Sequence, residues 1–127
     1  MKIVLDTNRY SDFWRGDSDV VRKIEESEQV YFPFIALGEL RSGFLKGTRR
    51  AENERTLEQF LAKPRVEVLL PDERTAGFYG ALYHQLRVQG TPIPTNDVWI
   101  AALAVQHDLA LYARDKHFDH LPQLMRI

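Results

Sequence analysis

Ile3, Val4 and Leu5 are consecutive apolar residues that run directly into Asp6, Thr7 and Asn8. A strand buried on both faces has no polar alternate positions, so this run predicts such a strand with Asp6 at its carboxyl end. The period then changes. Tyr10, Phe13 and Trp14 are spaced for a short helix that Asn8 or Ser11 could cap and Gly16 ends. Val20, Val21 and Ile24 make one face of a second helix, capped by Ser18, with Arg22, Lys23, Glu25 and Glu26 on the other face. Val30 to Phe32 reads as a strand stopped by Pro33.

Helical spacing returns from Ile35 to Lys46 and again from Arg49 to Lys63, with Gly47-Thr48 between them, so these segments predict a helical hairpin carrying Glu39 near its start. A third strand spans Val66 to Leu70. Asp72 to Gln89 is a long helix ended by Gly90, and Thr91 to Asn96 is a stiff extended loop whose Asn96 is placed to cap a helix from Asp97 to His107. Leu109 to Ala113 is a fourth strand that leads to Asp115, a short helix lies around Phe118, and Leu124 to Ile127 is a fifth strand. Strands that alternate with helices predict an α/β fold with a mostly parallel sheet.

Composition narrows the classes. At 127 residues the chain has the length of one domain, residues 1–127, and its 44% hydrophobic and 28% charged residues suit a soluble globular protein. No apolar run reaches the ~20 residues of a membrane span, and the start lacks the apolar core of a secretory signal. With no cysteine, a cytoplasmic setting is expected. A net charge of -1 argues against a generally basic nucleic-acid surface but leaves room for a local one.

Asp6 and Asp115 each follow a strand, and Asp97 sits in the first turn of a helix; in a parallel sheet all of these face the carboxyl edge, where ligands bind. Right-handed crossovers lean Glu39 over the same edge. Each acid has an ordinary alternative: Asp6 as a helix cap, Asp97 as a partner of a helix dipole, Glu39 as a solvated helix residue. Gathered together, four carboxylates repel one another unless a cation is present. Carboxylates with water suit Mg²⁺ or Mn²⁺, and such ions commonly serve phosphoryl chemistry, with a metal-activated water attacking in line.

Four motifs occur in order: Leu5-Asp6-Thr7-Asn8; Leu37-Gly38-Glu39-Leu40 with Gly43; Ile93 to Ala102 around Asn96-Asp97; and Arg114-Asp115-Lys116-His117-Phe118. Together they resemble the signatures of PIN-domain ribonucleases, especially the VapC-like toxins of toxin-antitoxin pairs. The resemblance implies a PIN-like fold with a five-stranded parallel sheet of order 3-2-1-4-5 flanked by helices. It implies an endoribonuclease that leaves 5′-phosphate and 3′-hydroxyl ends, with Asp6, Glu39, Asp97 and Asp115 as catalytic acids. Asp6 and Asp97 become the principal Mg²⁺ ligands, Mn²⁺ a substitute, and Asn8 a supporting hydrogen-bonding residue. A homodimer with contacts on the helical hairpin, and an antitoxin whose tail occludes the cleft, are implied in the same way. Where members often carry Thr or Ser two residues before the fourth acid, this chain has Ala113, leaving Thr7 or Thr95 as substitute hydroxyls.

Two other readings use the same residues: a phosphohydrolase of small phosphomonoesters, and a non-catalytic module that binds RNA or a partner. The first would need a second Asp two residues after Asp6, where Asn8 stands. Arg9, Arg114 and Lys116 adjoin the acids and are better phosphate candidates than Arg41, Lys46, Arg49, Arg50 and Arg55, whose segment is interleaved with Glu52 and Glu54. His117 and His120 lack a third ligand nearby in sequence and read as surface histidines. Trp99, next to Ile100, reads as a packing residue, and Trp14 as a base-stacking candidate.

Overall fold

In the computed structural model, which describes residues 1–127, the strand Lys2–Leu5 (β1) lies inside the sheet, and its apolar run explains why. Ile3, Val4 and Leu5 are each fully buried, yet they belong to two different cores: Ile3 and Leu5 face one side, Val4 the other. Successive strand side chains alternate faces, so only a strand covered on both sides needs three apolar residues in a row. β1 pairs in parallel with Gln29–Pro33 (β2) and with Ala110–Tyr112 (β4), while Val66–Leu69 (β3) pairs outside β2. The order is β3-β2-β1-β4.

The expected fifth strand shrinks to a single parallel bridge, Leu111 to Arg126. Two backbone hydrogen bonds hold it, Leu111 N–H to the Met125 carbonyl at 2.8 Å and Ile127 N–H to the Leu111 carbonyl at 3.2 Å. The segment lies on the free side of β4, as the order 3-2-1-4-5 requires. Turn backbone through Pro122 and Gln123 consumes the residues that a longer ladder would need.

Helices Thr7–Trp14 (α1), Ser18–Glu26 (α2), Phe34–Lys46 (α3) and Arg50–Leu61 (α4) supply most of the core shared by Ile3, Leu5, Val30 and Phe32. Tyr10, Phe13, Phe32 and Phe60 meet edge to face, with centroids 5.2–5.4 Å apart for Tyr10–Phe60, Tyr10–Phe32 and Phe13–Phe60. Such pairs add about 0.5–1.5 kcal/mol each beyond area burial, and they fix α1 directly behind Asp6. The other face is covered by Glu73–Gln89 (α5) and Thr95–Gln106 (α6). In α6, Val98 and Ile100 to Ala104 are all buried, so this helix lies in the core and its amino end is held rigidly. Trp99 stacks on Tyr79 with centroids 3.9 Å apart, the packing role expected of it.

Three caps differ from the sequence expectation. Asn8 and Ser11 both lie inside α1, whose cap position is held by Asp6. Asp17, one residue before Ser18, caps α2 by accepting from Asp19 and Val20 N–H at 3.1 and 3.2 Å. With the Asp17 carboxylate taking both of these amides, Ser18 becomes the first residue of α2. Asn96 does not cap α6: Pro94, extended at ψ 143°, takes the cap position, and Asn96 lies within the first turn. α5 starts at an Asp72–Thr75 capping box, and Gly90 ends it at φ 73°, the left-handed region where glycine is favoured.

Candidate metal centre

Strand order reverses between β1 and β4, because the chain leaves β1 toward β2 and β3 and returns through α5 and α6 to the opposite side. At that crevice the Asp6 N–H donates to the Tyr112 carbonyl at 3.2 Å, joining the two strand ends. Open parallel sheets bind ligands at such points. Asp6 stands in the cap position of α1 but its side chain makes no capping hydrogen bond, so the ordinary helix-cap role is not the one it performs.

A cleft of about 360 Å³ opens there, lined by ten residues of which none is hydrophobic. Asp6, Asn8, Glu39, Asp97 and Asp115 all line it, so five residues from four segments separated along the chain face one space. Glu39 is brought in by α3, whose start is set by Pro33 at the end of β2. It is steadied by the Thr7 hydroxyl, which donates to Oε1 at 3.2 Å. Asp97 lies at the third position of α6, where the helix's free amides favour an anion. Asn8 makes no side-chain hydrogen bond to any of the four acids.

Asp115 needs no hydroxyl from position 113. Its carboxylate accepts from the His117 N–H at 2.9 Å at the start of the 3₁₀ helix Lys116–His120, and the aliphatic Ala113 is simply buried. Thr7, one of the proposed substitutes, serves Glu39 instead.

The histidine that sequence reasoning dismissed is part of this cleft. His117 Nδ1 lies 2.9 Å from Asp97 Oδ2 and 3.1 Å from Asp115 Oδ1. One potential ligand atom from each of Asp97, Asp115 and His117 falls within 4.8 Å of the others. Spacing along the chain concealed this, since Asp97 is twenty residues away. His120, by contrast, is exposed and outside the cleft.

Charge accumulation leaves its mark on protonation. Asp6 is 5% exposed, and its carboxyl is pushed up to about 6, by burial first and then by the charges of Asp97, Glu39 and Asp115, against a hydrogen bond from the Thr7 amide. Burial also raises Glu39, opposed by hydrogen bonds from Thr7 and Asn96, and it raises Asp97, opposed by His117. A bound cation would relieve this repulsion. A donor set of carboxylates with room for water fits a divalent ion that prefers oxygen.

Beside the cleft, Arg114 donates to Asp12 from Nε at 2.9 Å and from Nη2 at 3.3 Å. Asp12 was missed in the sequence, where an acid on a short amphipathic helix reads as solvated; here it is buried. Arg41, on the hairpin, is paired with Glu54 at 3.3 Å. A larger hollow of about 710 Å³ lies at the amino ends of the strands, between Lys2, Glu28 and Leu109. Glu28 there holds the terminal amine at 3.2 Å, and no acidic cluster forms.

Comparison with known proteins gives a consistent result. Residues 3–124 match the model of the PIN domain family. Ribonuclease VapC4 of Mycobacterium tuberculosis is 33% identical over 90 residues, covering 71% of this chain and 69% of that protein. Among solved structures, DNA-bound VapBC from Salmonella typhimurium has a TM-score of 0.90 at 25% identity, with 100% of this chain and 97% of that one covered. VapBC-5 from Mycobacterium tuberculosis, a member of the VapBC family of toxin-antitoxin systems, has a TM-score of 0.77 at 29% identity, covering 99% and 97%.

Proposed function

Because this chain belongs to the PIN domain family, we propose that it is a metal-dependent endoribonuclease acting as the toxin of a toxin-antitoxin pair. The observation that carries this reading is the convergence of Asp6, Glu39, Asp97 and Asp115 on one polar cleft at the strand-order reversal. Asp6 and Asp97 are the residues to hold Mg²⁺, with Mn²⁺ as a substitute; Asp115 and Glu39 complete the set directly or through water. When bound, such an ion neutralises the carboxylates, lowers the pKa of a water and stabilises a leaving oxygen.

The chain's own residues do the rest. Buried Asp6 and half-buried Asp97 supply fixed charge in a site that α1 and α6 cannot easily relax. Glu39, held above the usual carboxylate range by burial and oriented by Thr7, takes the proton released as water attacks the phosphodiester. Asn8 lines the wall and offers its amide to a phosphate oxygen. In-line attack then leaves 5′-phosphate and 3′-hydroxyl ends.

The partner is a small antitoxin, as the VapBC relatives support. Residues 1–127 act as one PIN domain in the cytoplasm, and no helix is long and apolar enough to cross a membrane. Phe34 and Leu45, 53% and 61% exposed on α3, support a homodimer contact on the hairpin. Induced expression in a bacterial host tests the reading: growth arrest with the wild type and none with Asp97→Asn is expected. Equal arrest by both proteins would contradict it.

A further inference from the structure

Asp12 lies on a surface helix eight residues long, yet it is only 8% exposed, because three arginines close over it. Arg114 grips it with two hydrogen bonds across 102 residues of sequence. Arg9 Nη1 and Arg15 Nη1 each stand 3.5 Å from it. Arg9 is further fixed by its guanidinium, which lies 4.6 Å from the centroid of the Tyr112 ring. A pair would suffice to tie α1 to the end of β4. One carboxylate facing three guanidiniums leaves a formal charge of +2 instead.

That charge sits at the cleft's edge. Arg9 follows Asn8 and Arg114 precedes Asp115, both of which line the cleft, and the charges of Asp6 and Asp115 act on Arg114. Four ionised carboxylates and one divalent cation sum to -2, an unfavourable destination for a polyanion. The +2 cluster offsets that sum. Arg114 keeps 46% of its side chain exposed and, with five donors on a planar fork, has N–H groups left after gripping Asp12.

We propose that Asp12 is a positioning residue that fixes Arg9 and Arg114 as a phosphate-binding strip, holding the RNA backbone that flanks the cleaved bond. This rests on the nuclease reading given above. An Asp12 that merely neutralised arginines would act in the opposite direction: removing it would add net positive charge and tighten RNA binding. A positioning Asp12 must weaken binding when removed, despite the added charge.

The test uses the full chain and a single-stranded RNA oligonucleotide. In cleavage assays, Asp12→Asn and Arg114→Lys should raise KM about 10-fold while kcat stays within about 2-fold, because positive charge is kept by Arg114→Lys and increased by Asp12→Asn, and only the forked geometry is lost. In an Asp97→Asn background, binding measured against salt should lose about one unit of log-log slope on Arg114→Ala. Circular dichroism verifies folding; if Asp12→Asn does not fold, Arg114→Lys and Arg9→Gln decide. Unchanged KM and slope, or tighter binding by Asp12→Asn, would overturn the proposal. Absence of cleavage by the wild type would instead sink the nuclease reading, and the binding slopes would still judge the arginine strip.

Discussion

His117 Nδ1 stands 2.9 Å from Asp97 Oδ2, so an imidazole sits against one of the carboxylates proposed to hold a cation. The same nitrogen is 3.1 Å from Asp115 Oδ1, which makes the ring a stand-in partner for two acids. When protonated it offsets their repulsion, and a bound cation would take over that task.

His117→Ala should therefore enlarge the stabilisation that metal gives. With the ring 45% exposed, solvent limits its contribution to about 0.5–1 kcal/mol, or roughly 2–4 °C in Tm for a chain of this size. Thermal melts with and without Mn²⁺ measure it. A smaller metal-induced rise in the variant would mean that His117 is itself a ligand.

Asp6 gives stability a pH dependence of defined sign. Its folded pKa of about 6 lies above the ordinary 3.8, so the folded state binds this proton more tightly than the unfolded chain. The resulting stabilisation is fully present below the unfolded value and is lost as pH rises through about 6. Two pKa units correspond to about 3 kcal/mol. Urea melts in chelator between pH 4.5 and 8 should show the wild type losing on the order of 2 kcal/mol relative to Asp6→Asn. Parallel curves for the two proteins would refute this assignment of burial strain.

Phe60 links the hairpin to the site's scaffold. It is fully buried and packs edge to face on Tyr10 and Phe13 of α1. Phe60→Ala should cost about 3–5 kcal/mol of stability, read from denaturant midpoints. Because α1 carries Asn8 and follows Asp6, cleavage should fall as well, even where the variant remains folded.

Much of this was legible in the sequence for a local reason. Ile3 to Leu5 run apolar into Asp6, which announces both a doubly covered strand and a charge at its end. Gly90 and Asp72 marked the ends of α5 through backbone chemistry that acts over a few residues. What escaped depended on distance along the chain. His117 finds Asp97 only after α6 and the 3₁₀ helix dock, so counting neighbouring ligands missed it. Asp12 is buried by Arg114, 102 residues away, and no helical periodicity announces such a partner. The cap of α6 was misplaced because Asn96 is a good capping residue, while Pro94 was already fixed in the extended backbone that a cap requires. The fifth strand was legible as apolar residues beside β4, but not as a ladder reduced to one bridge.

The most direct test is cleavage itself. The purified chain, free of any partner, is incubated with total cellular RNA in Mg²⁺, in Mn²⁺ and in chelator, beside Asp97→Asn. Discrete fragments with 5′-phosphate ends, lost in chelator and reduced at least about 100-fold in the variant, are the result expected of a metal-dependent endoribonuclease using this cleft. Intact RNA in both metals, or fragments equally abundant in chelator and with Asp97→Asn, would contradict it.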